Sequence, residues 1–176
     1  MTSRASQLVS VVTTLTITLS GICVHAAGFQ RGVAADPDGK PLEIGIWYPS
    51  SATIRPLAMG PTTMNVAANA PIQGKDLPLV VMSHGNGGFF LSHFDTAIAL
   101  ADAGFVVAAV THTGDNYADQ SRSTYVMDRP RHISRVLDHM LSTWDGHALI
   151  DPSRIGIFGF SSGGFTALAS VGGVPD

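Results

Sequence analysis

Residues 155–164 read IGIFGFSSGG and place an apolar run directly before two serines and two glycines. A short apolar run of this kind, here residues 154–160, is typical of a strand buried on both faces. From Gly163 to about Val171, small and apolar residues indicate the start of a helix. The residues between strand and helix, Gly159-Phe160-Ser161-Ser162-Gly163, match G-x-S-x-G, a tight turn that exposes a serine nucleophile. The stretch therefore predicts a strand, a sharp turn and a helix in direct succession.

Ser161 stands between the two glycines at the spacing that this motif requires, so we predict that it is the nucleophile. Ser162 is predicted to contribute its backbone N–H to an oxyanion hole, rather than its hydroxyl, because a helix N-terminus directs N–H groups towards the same point. The alternative interpretation is an ordinary glycine-rich turn. The flanking strand and helix favour the nucleophile.

A second motif, His84-Gly85-Asn86-Gly87-Gly88, follows the apolar run LPLVVMS at residues 77–83. In hydrolases with this serine turn, a loop at that place supplies the other oxyanion donor, and we predict the backbone N–H of Asn86 for that role. A dinucleotide-binding G-x-G-x-x-G is excluded because Phe90 occupies the place of the third glycine. His84 is predicted to be a buried imidazole that fixes the loop, in preference to a proton-transfer group.

Strand and helix patterns alternate along the rest of the chain. This order predicts an α/β fold with a parallel sheet and right-handed crossovers. The predicted elements are a hairpin at 28–35 and 42–48, a strand at 105–110, a helix capped by Ser92, and a helix opened by Pro130 with an apolar face from Ile133 to Trp144. Residues 50–76 are rich in Pro, Gly, Ala and Asn and predict a long loop, either a lid or a surface connection.

The histidines show no metal-binding pattern, and we expect neither a metal nor a cofactor. His132 and His139 fall on or beside the polar face of the second predicted helix, which indicates surface positions. His112 follows a predicted strand and is expected to line the pocket.

Residues 1–26 are typical of a cleaved signal peptide. Arg4 is the only charged residue before an uncharged stretch that ends at Val24-His25-Ala26. An uncleaved membrane anchor and a lipid-modified Cys23 are the alternatives. Cleavage would remove Cys23, the only cysteine, and we expect a periplasmic or secreted protein.

The composition is that of one globular domain. The chain has 176 residues, 45% of them hydrophobic and 13% charged, with a net charge of −3. These values argue against disorder, and they provide no basic surface for nucleic acid. We expect a small-molecule ester or lipid as substrate, no nucleic acid partner, and at most transient contact with a membrane.

Together these residues resemble the platelet-activating factor acetylhydrolase-like branch of the α/β hydrolases, also called predicted dienelactone hydrolases. The resemblance is carried by Trp47-Tyr48-Pro49, residues 83–88 and 104–110, Arg129-Pro130 with Asp138, and residues 159–164. It implies a serine ester hydrolase with Ser161 as nucleophile and the N–H groups of Asn86 and Ser162 as oxyanion hole. Phe160 departs from the family, which more often has histidine there. Because dienelactone hydrolases themselves use cysteine, a serine at 161 favours ester hydrolysis.

The acid and base of a catalytic triad are not evident in the sequence. In α/β hydrolases they follow the serine in the chain, but after Ser161 the only acid is Asp176 and no histidine occurs. We therefore expect residues 27–176 to be the N-terminal half of an α/β-hydrolase domain, truncated and weakly active or inactive. The alternative is a non-catalytic exported binding protein built on this half-fold.

Overall fold

A computed structural model describes residues 26–174 of the chain. Their elements follow in the order β1 (Ala26–Ala34), β2 (Leu42–Ser50), β3 (Arg55–Met59), β4 (Thr62–Ala68), β5 (Leu77–Ser83), α1 (Phe94–Asp102), β6 (Val106–Val110), α2 (Asp128–Ser142), β7 (Ile150–Gly159) and α3 (Ser162–Ser170). A single 3-10 turn at His147–Leu149 precedes β7.

The strands form one mixed sheet in the order β3-β4-β1-β2-β6-β5-β7. β5 pairs in parallel with β6 on one side and with β7 on the other. β2 runs antiparallel to both β1 and β6. Since α1 covers one face of this sheet and α2 and α3 cover the other, the predicted α/β fold is confirmed.

The apolar face predicted for α2 is the centre of one of the two core layers. Ile133, Val136 and Met140 are almost fully buried against strands of the sheet. Burial of each such side chain contributes roughly 1.5–3 kcal/mol relative to exposure. On the opposite face, Ala97 and Ala101 of α1 are completely buried, and their small side chains bring the helix close to the sheet.

The prediction of a long loop over residues 50–76 is wrong, because β3 and β4 form a hairpin within it. Gly60 has a φ of +61° in the turn that joins the two strands. β3 is the outermost strand of the sheet, and an edge strand tolerates Pro56 because its missing N–H need not pair. The polar and proline-containing composition that indicated a loop therefore reflects an exposed edge strand.

Two further local predictions are wrong. Ser92 does not cap α1, which begins at Phe94 after His93; its hydroxyl instead accepts the N–H of Phe89 at 3.0 Å. β7 is not buried on both faces, and Ile155 is 40% exposed. Within residues 26–174, no strand pairs with the outer edge of β7, so its apolar sequence lies at the border of the sheet.

The predicted signal peptide lies outside the described residues except for Ala26, which begins β1 opposite Ser50. Cys23 and Asp176 also fall outside them. Among the helices of residues 26–174, none has the length and apolar character needed to cross a membrane.

Candidate active site

The turn between β7 and α3 places Ser161 in a backbone conformation that side chains rarely adopt. Its φ is +54° and its ψ is −122°, a region that favours glycine. Ser161 is exposed at the carboxyl end of β7. A strained residue at such a turn is typical of functional sites, and the G-x-S-x-G motif requires this strain of its serine. The turn predicted from residues 159–163 is present.

The two glycines of the motif allow α3 to approach the sheet closely. A β-carbon at Gly159 would overlap the carbonyl group of Gly163. One at Gly163 would overlap the carbonyl oxygen of Ser83 and lie 2.8 Å from that of His84. Any side chain at either position would push the helix away from the ends of β5 and β7. The glycines therefore hold the helix N-terminus against the segment that contains His84.

The loop after β5, residues 84–88, lies directly beside this turn; we call it the oxyanion loop. β5 and β7 are adjacent parallel strands, with Ser83 opposite Gly159, so both segments leave the sheet at the same edge. The N–H of Phe160 donates to the carbonyl of Ser83 at 3.2 Å. A β-carbon on Gly85 would lie 3.4 Å from the β-carbon of Ser161. Glycine at 85 therefore keeps the space beside Ser161 open.

Several backbone N–H groups at this junction have no acceptor among the described residues, and two of them are the predicted oxyanion donors. These two belong to Asn86, in the oxyanion loop, and to Ser162, the first residue of α3. Two other N–H groups of the loop are bonded, since Gly87 donates to Asp115 Oδ1 at 2.9 Å and Gly88 to the carbonyl of Gly85 at 3.1 Å. The helix N-terminus adds a positive dipole end at Ser162. The two predicted oxyanion donors are thus adjacent to the predicted nucleophile, and their roles stay predictions.

A buried ion pair lies beneath the oxyanion loop. Arg129, in the first turn of α2, is 2% exposed, and Asp115, in the segment after β6, is 3% exposed. Nε and Nη2 of Arg129 contact Oδ2 of Asp115 at 3.1 and 2.7 Å. Arg129 also donates through Nη1 to the carbonyl of His84 at 2.6 Å and through Nη2 to that of Gly85 at 3.3 Å. The pair therefore binds the loop directly.

Neither Arg129 nor Asp115 is predicted to have a role from the sequence, although the sequence carries one signal for the arginine. The apolar face of α2 extends backwards by one turn, from Ile133 to position 129, so the helical spacing points Arg129 towards the core. A charged residue on the buried face of a helix requires a partner. Nothing local identified that partner, because Asp115 lies in a polar loop fourteen residues away.

His84 fixes the oxyanion loop, as predicted. It is 3% exposed, and its Nε2 accepts the backbone N–H of His112 at 3.1 Å. Its Nδ1 therefore carries the proton and donates to the carbonyl of Gly85 at 2.5 Å. Burial lowers the pKa of His84 to about 4. The ring is thus neutral at pH 7, and both of its nitrogens are engaged.

The prediction that His132 lies at the surface is wrong, since it is 1% exposed. Its Nε2 accepts from Arg131 at 3.3 Å, so its Nδ1 donates to Nδ1 of the fully buried His112 at 3.1 Å. His112 in turn donates through Nε2 to the hydroxyl of Ser83 at 2.8 Å. Burial lowers the pKa of His132 to about 4 and that of His112 well below its usual value. The prediction that His112 lines the pocket is therefore wrong, since this side chain is buried beneath the oxyanion loop. His139, also predicted at the surface, is half-buried in the last turn of α2.

Comparison with known proteins identifies the family independently of the serine motif. A sequence model of the family described as "Platelet-activating factor acetylhydrolase, isoform II" matches residues 49–136. This range covers 88 of the 176 residues, which is half of the chain. It includes the oxyanion loop, Asp115 and Arg129, and it ends before Ser161.

Solved structures agree with this assignment at the level of the fold. A ferulic acid esterase from Streptomyces cinnamoneus matches with a TM-score of 0.69 and 24% identity, over 86% of this chain and 56% of its own. A dienelactone hydrolase-like promiscuous phosphotriesterase from metagenomic libraries matches with a TM-score of 0.57 and 18% identity, over 82% and 54%. An acetyl xylan esterase from Paenibacillus sp. R4 matches with a TM-score of 0.50 and 19% identity, over 83% and 50%.

The chain spans about half the length of these solved structures. Its mixed sheet and helices occupy the same arrangement as theirs. The chain therefore has the α/β-hydrolase fold, and it belongs to the platelet-activating factor acetylhydrolase isoform II family.

Proposed function

We propose that this protein hydrolyses carboxylic esters with Ser161 as the nucleophile. The observation that carries the proposal is the strained, exposed Ser161 beside the backbone N–H groups of Asn86 and Ser162, which have no acceptor within residues 26–174. Family membership supports the same reaction class. A serine in this geometry presents its hydroxyl, and two unpaired donors beside it can stabilise the charge that ester cleavage generates.

The reaction would proceed through an acyl-serine intermediate. The oxygen of Ser161 attacks the ester carbonyl carbon, the C=O electron pair moves to the oxygen, and the N–H groups of Asn86 and Ser162 donate to the resulting oxyanion. Collapse of this tetrahedral intermediate breaks the bond to the alcohol oxygen, which takes up the proton that Ser161 loses, and leaves the acyl-serine. Water then attacks the acyl carbon, releases the acid and returns a proton to Ser161. Preorganised donors of this kind stabilise the transition state more than the ground state, which accelerates both steps.

The proton of Ser161 needs a base, and the buried histidines do not offer one. Both ring nitrogens of His84 and of His112 are already hydrogen-bonded. The order of triad residues in α/β hydrolases places the acid and the base after the nucleophile, and residues 162–176 contain no histidine. We therefore expect residues 1–176 alone to hydrolyse esters weakly or not at all.

The proposed substrate is an ester with a small acyl group, including phospholipid-type esters. The family description names an acetylhydrolase, and this is the support for a small acyl group. We also propose that the protein is exported to the periplasm or the medium, on the basis of the signal-peptide pattern in residues 1–26.

The test is hydrolysis of p-nitrophenyl acetate by the product of the natural gene, including any sequence that follows residue 176. We expect Ser161→Ala to lower kcat by about 10³-fold or more. Ser162→Ala is the matched control: it retains the backbone N–H, so activity should stay close to that of the wild type. A fluorophosphonate probe should label the wild type and Ser162→Ala but not Ser161→Ala. Hydrolysis that is unchanged in Ser161→Ala would refute the proposal, and a wild type that is not labelled would favour the binding-protein interpretation.

A further inference from the structure

The carbonyl of Gly85 is held by three donors on the side of the protein interior. His84 Nδ1, Arg129 Nη2 and the backbone N–H of Gly88 all point at this oxygen, at 2.5, 3.3 and 3.1 Å. The carbonyl of Gly85 and the N–H of Asn86 belong to one peptide unit. In a trans peptide these two groups point in opposite directions, and the structure has no cis peptide bond among its described residues. Fixing the carbonyl inwards therefore directs the N–H of Asn86 outwards.

The ion pair of Arg129 and Asp115 acts on both sides of this peptide. Arg129 binds the carbonyls of His84 and Gly85, and Asp115 accepts the N–H of Gly87. The carbonyl of Gly85 and the N–H of Gly87, on either side of the Asn86 N–H, are thus each bonded to a member of the pair. A guanidinium group presents its N–H donors in a rigid planar fork, so one side chain fixes the carboxylate and both carbonyls at once.

A buried ion pair is weak evidence of a purely stabilising role. The desolvation of two charges offsets most of their attraction, and apolar replacements of similar volume are often neutral or stabilising. Here the pair is enclosed, with side-chain exposures of 2% and 5%. Its other hydrogen bonds are made to the oxyanion loop, where Asp115 accepts the N–H of Gly87 and Arg129 donates to the carbonyl of His84. The arrangement fits a positioning role better than a contribution to stability.

We propose that Arg129 and Asp115 are positioning residues that hold the Gly85–Asn86 peptide in the orientation that presents the Asn86 N–H to the substrate oxyanion. This inference rests on the proposed esterase function. Neither residue touches the reacting atoms. Both act by preventing the peptide from turning its carbonyl towards the substrate, where it would repel the developing negative charge.

The experiment compares Arg129→Lys and Asp115→Asn in the natural gene product. Lysine keeps the charge but lacks the planar fork, and asparagine keeps the shape and one acceptor oxygen but loses the charge. The matched controls are Arg122→Lys and Asp128→Asn, because Arg122 and Asp128 form a pair of the same type, 2.6 Å apart, at the exposed start of α2. All variants are assayed with p-nitrophenyl acetate well below their melting temperatures.

We expect kcat to fall about 10²-fold in Arg129→Lys and Asp115→Asn, with KM within about twofold of the wild type, because a displaced donor acts on the transition state alone. Affinity for a trifluoromethyl ketone, whose adduct with Ser161 carries an oxyanion, should fall in parallel with kcat. The control variants should leave both quantities within about twofold. Folded variants with wild-type kcat, a loss of kcat without a loss of ketone affinity, or equal losses in the controls would overturn the proposal. Failure of both variants to fold would assign the pair to folding alone and would also overturn it.

An independent arm separates this inference from the proposed function. If the wild type neither hydrolyses the ester nor reacts with a fluorophosphonate, the esterase proposal fails, but the loop geometry is still measurable. Amide hydrogen exchange should show the N–H of Gly87 protected in the wild type and at least tenfold less protected in Asp115→Asn and Arg129→Lys. Equal protection in all three proteins would overturn the positioning role.

Discussion

The two halves of the candidate site are built by different physical means. The turn at Ser161 relies on backbone contact: two glycines let α3 touch the sheet, and one serine carries the strain. The oxyanion loop relies on buried side chains, namely Arg129, Asp115 and His84, which occupy its carbonyls and N–H groups. The turn is exposed to solvent, whereas the side chains that hold the oxyanion loop are buried and polar.

This difference shows where the information for each half lies in the chain. The turn is specified by five contiguous residues, 159–163. The loop depends on residues that are distant in sequence, since 28 positions separate Gly87 from Asp115 and 45 separate His84 from Arg129. Substitutions inside the motif should therefore disturb the turn. The loop should be disturbed by substitutions that are distant from it in sequence but in contact with it in the fold.

The largest effect is expected for Arg129→Met. This change removes the partner of Asp115 and leaves a charge buried at 3% exposure, so we expect the free energy of unfolding to fall by about 3–5 kcal/mol. Arg122→Met breaks an exposed pair and should lower it by about 0–1 kcal/mol. Urea unfolding followed by circular dichroism measures both. Equal losses in the two variants would show that burial of the Arg129 pair has no energetic consequence.

A smaller effect is expected at the turn for Gly163→Ala. The new β-carbon would overlap the carbonyl of Ser83, which belongs to rigid backbone, so we expect a loss of about 1–3 kcal/mol. Gly164→Ala is a matched control in the same helix, where a β-carbon would lie 3.6 Å from the carbonyl oxygen of Gly159, an ordinary contact. Because alanine is favoured over glycine within a helix by roughly 0.5–1 kcal/mol, the stability of the Gly164→Ala variant should equal or exceed that of the wild type. Thermal unfolding should show a clear loss of stability for Gly163→Ala and no loss for Gly164→Ala, and a similar loss in both variants would contradict the close contact at Gly163.

The fold could be predicted where hydrophobic spacing is local. The apolar runs of β5 and β6 and the helical face of α2 are each contained within about twenty residues, and the structure has them at the predicted places. The β3–β4 hairpin was missed because its outer strand, β3, lies at the edge of the sheet, where polar side chains and Pro56 are tolerated. The pairing of β4 with β1 attaches this hairpin to the sheet. This contact joins segments that are distant in sequence, so it cannot be recognised from the residues of the hairpin alone.

The candidate site could be predicted in its backbone parts but not in its buried charges. Asn86, Ser161 and Ser162 belong to contiguous motifs, and the fold brings those motifs together as expected. His132 was assigned to the surface because a polar residue next to charged neighbours usually lies there. In the structure, its burial is made possible by His112, a residue whose proximity depends on the packing of α2 against β6.

The polar half of the site should respond to acid. His84 and His132 have folded-state pKa values of about 4, compared with 6.5 when unfolded. Between these values the unfolded chain binds more protons, so stability is full above pH 6.5 and falls as the pH decreases towards 4. From pH 7 to pH 5 we expect a loss on the order of 2 kcal/mol for each histidine.

Chemical unfolding measured across this pH range tests the effect, with His132→Gln as the comparison. Its pH slope should be shallower than that of the wild type. Asp36 faces His132; burial opposes its ionisation, but the hydrogen bond and charge of Arg131 outweigh this and lower its pKa, so it titrates below the range in question. A wild-type stability that is flat from pH 7 to pH 5, or identical slopes in the two proteins, would contradict the neutral buried histidines.

The smallest effect is expected for Ser161→Gly, at the strained residue of the exposed half. Glycine adopts a φ of +54° without the clash that a β-carbon creates, so the change should relieve strain of about 1–3 kcal/mol. The greater freedom of glycine in the unfolded chain offsets roughly 0.5–1 kcal/mol of this gain. We therefore expect a net stabilisation of about 1 kcal/mol, together with the loss of ester hydrolysis. Ser161→Ala separates the two effects, because it removes the hydroxyl but keeps the β-carbon, and its melting temperature should stay near that of the wild type. If alanine stabilises the protein as much as glycine, the strain comes from the hydroxyl and not from the backbone. The turn would then not store the backbone strain that distinguishes it from the oxyanion loop.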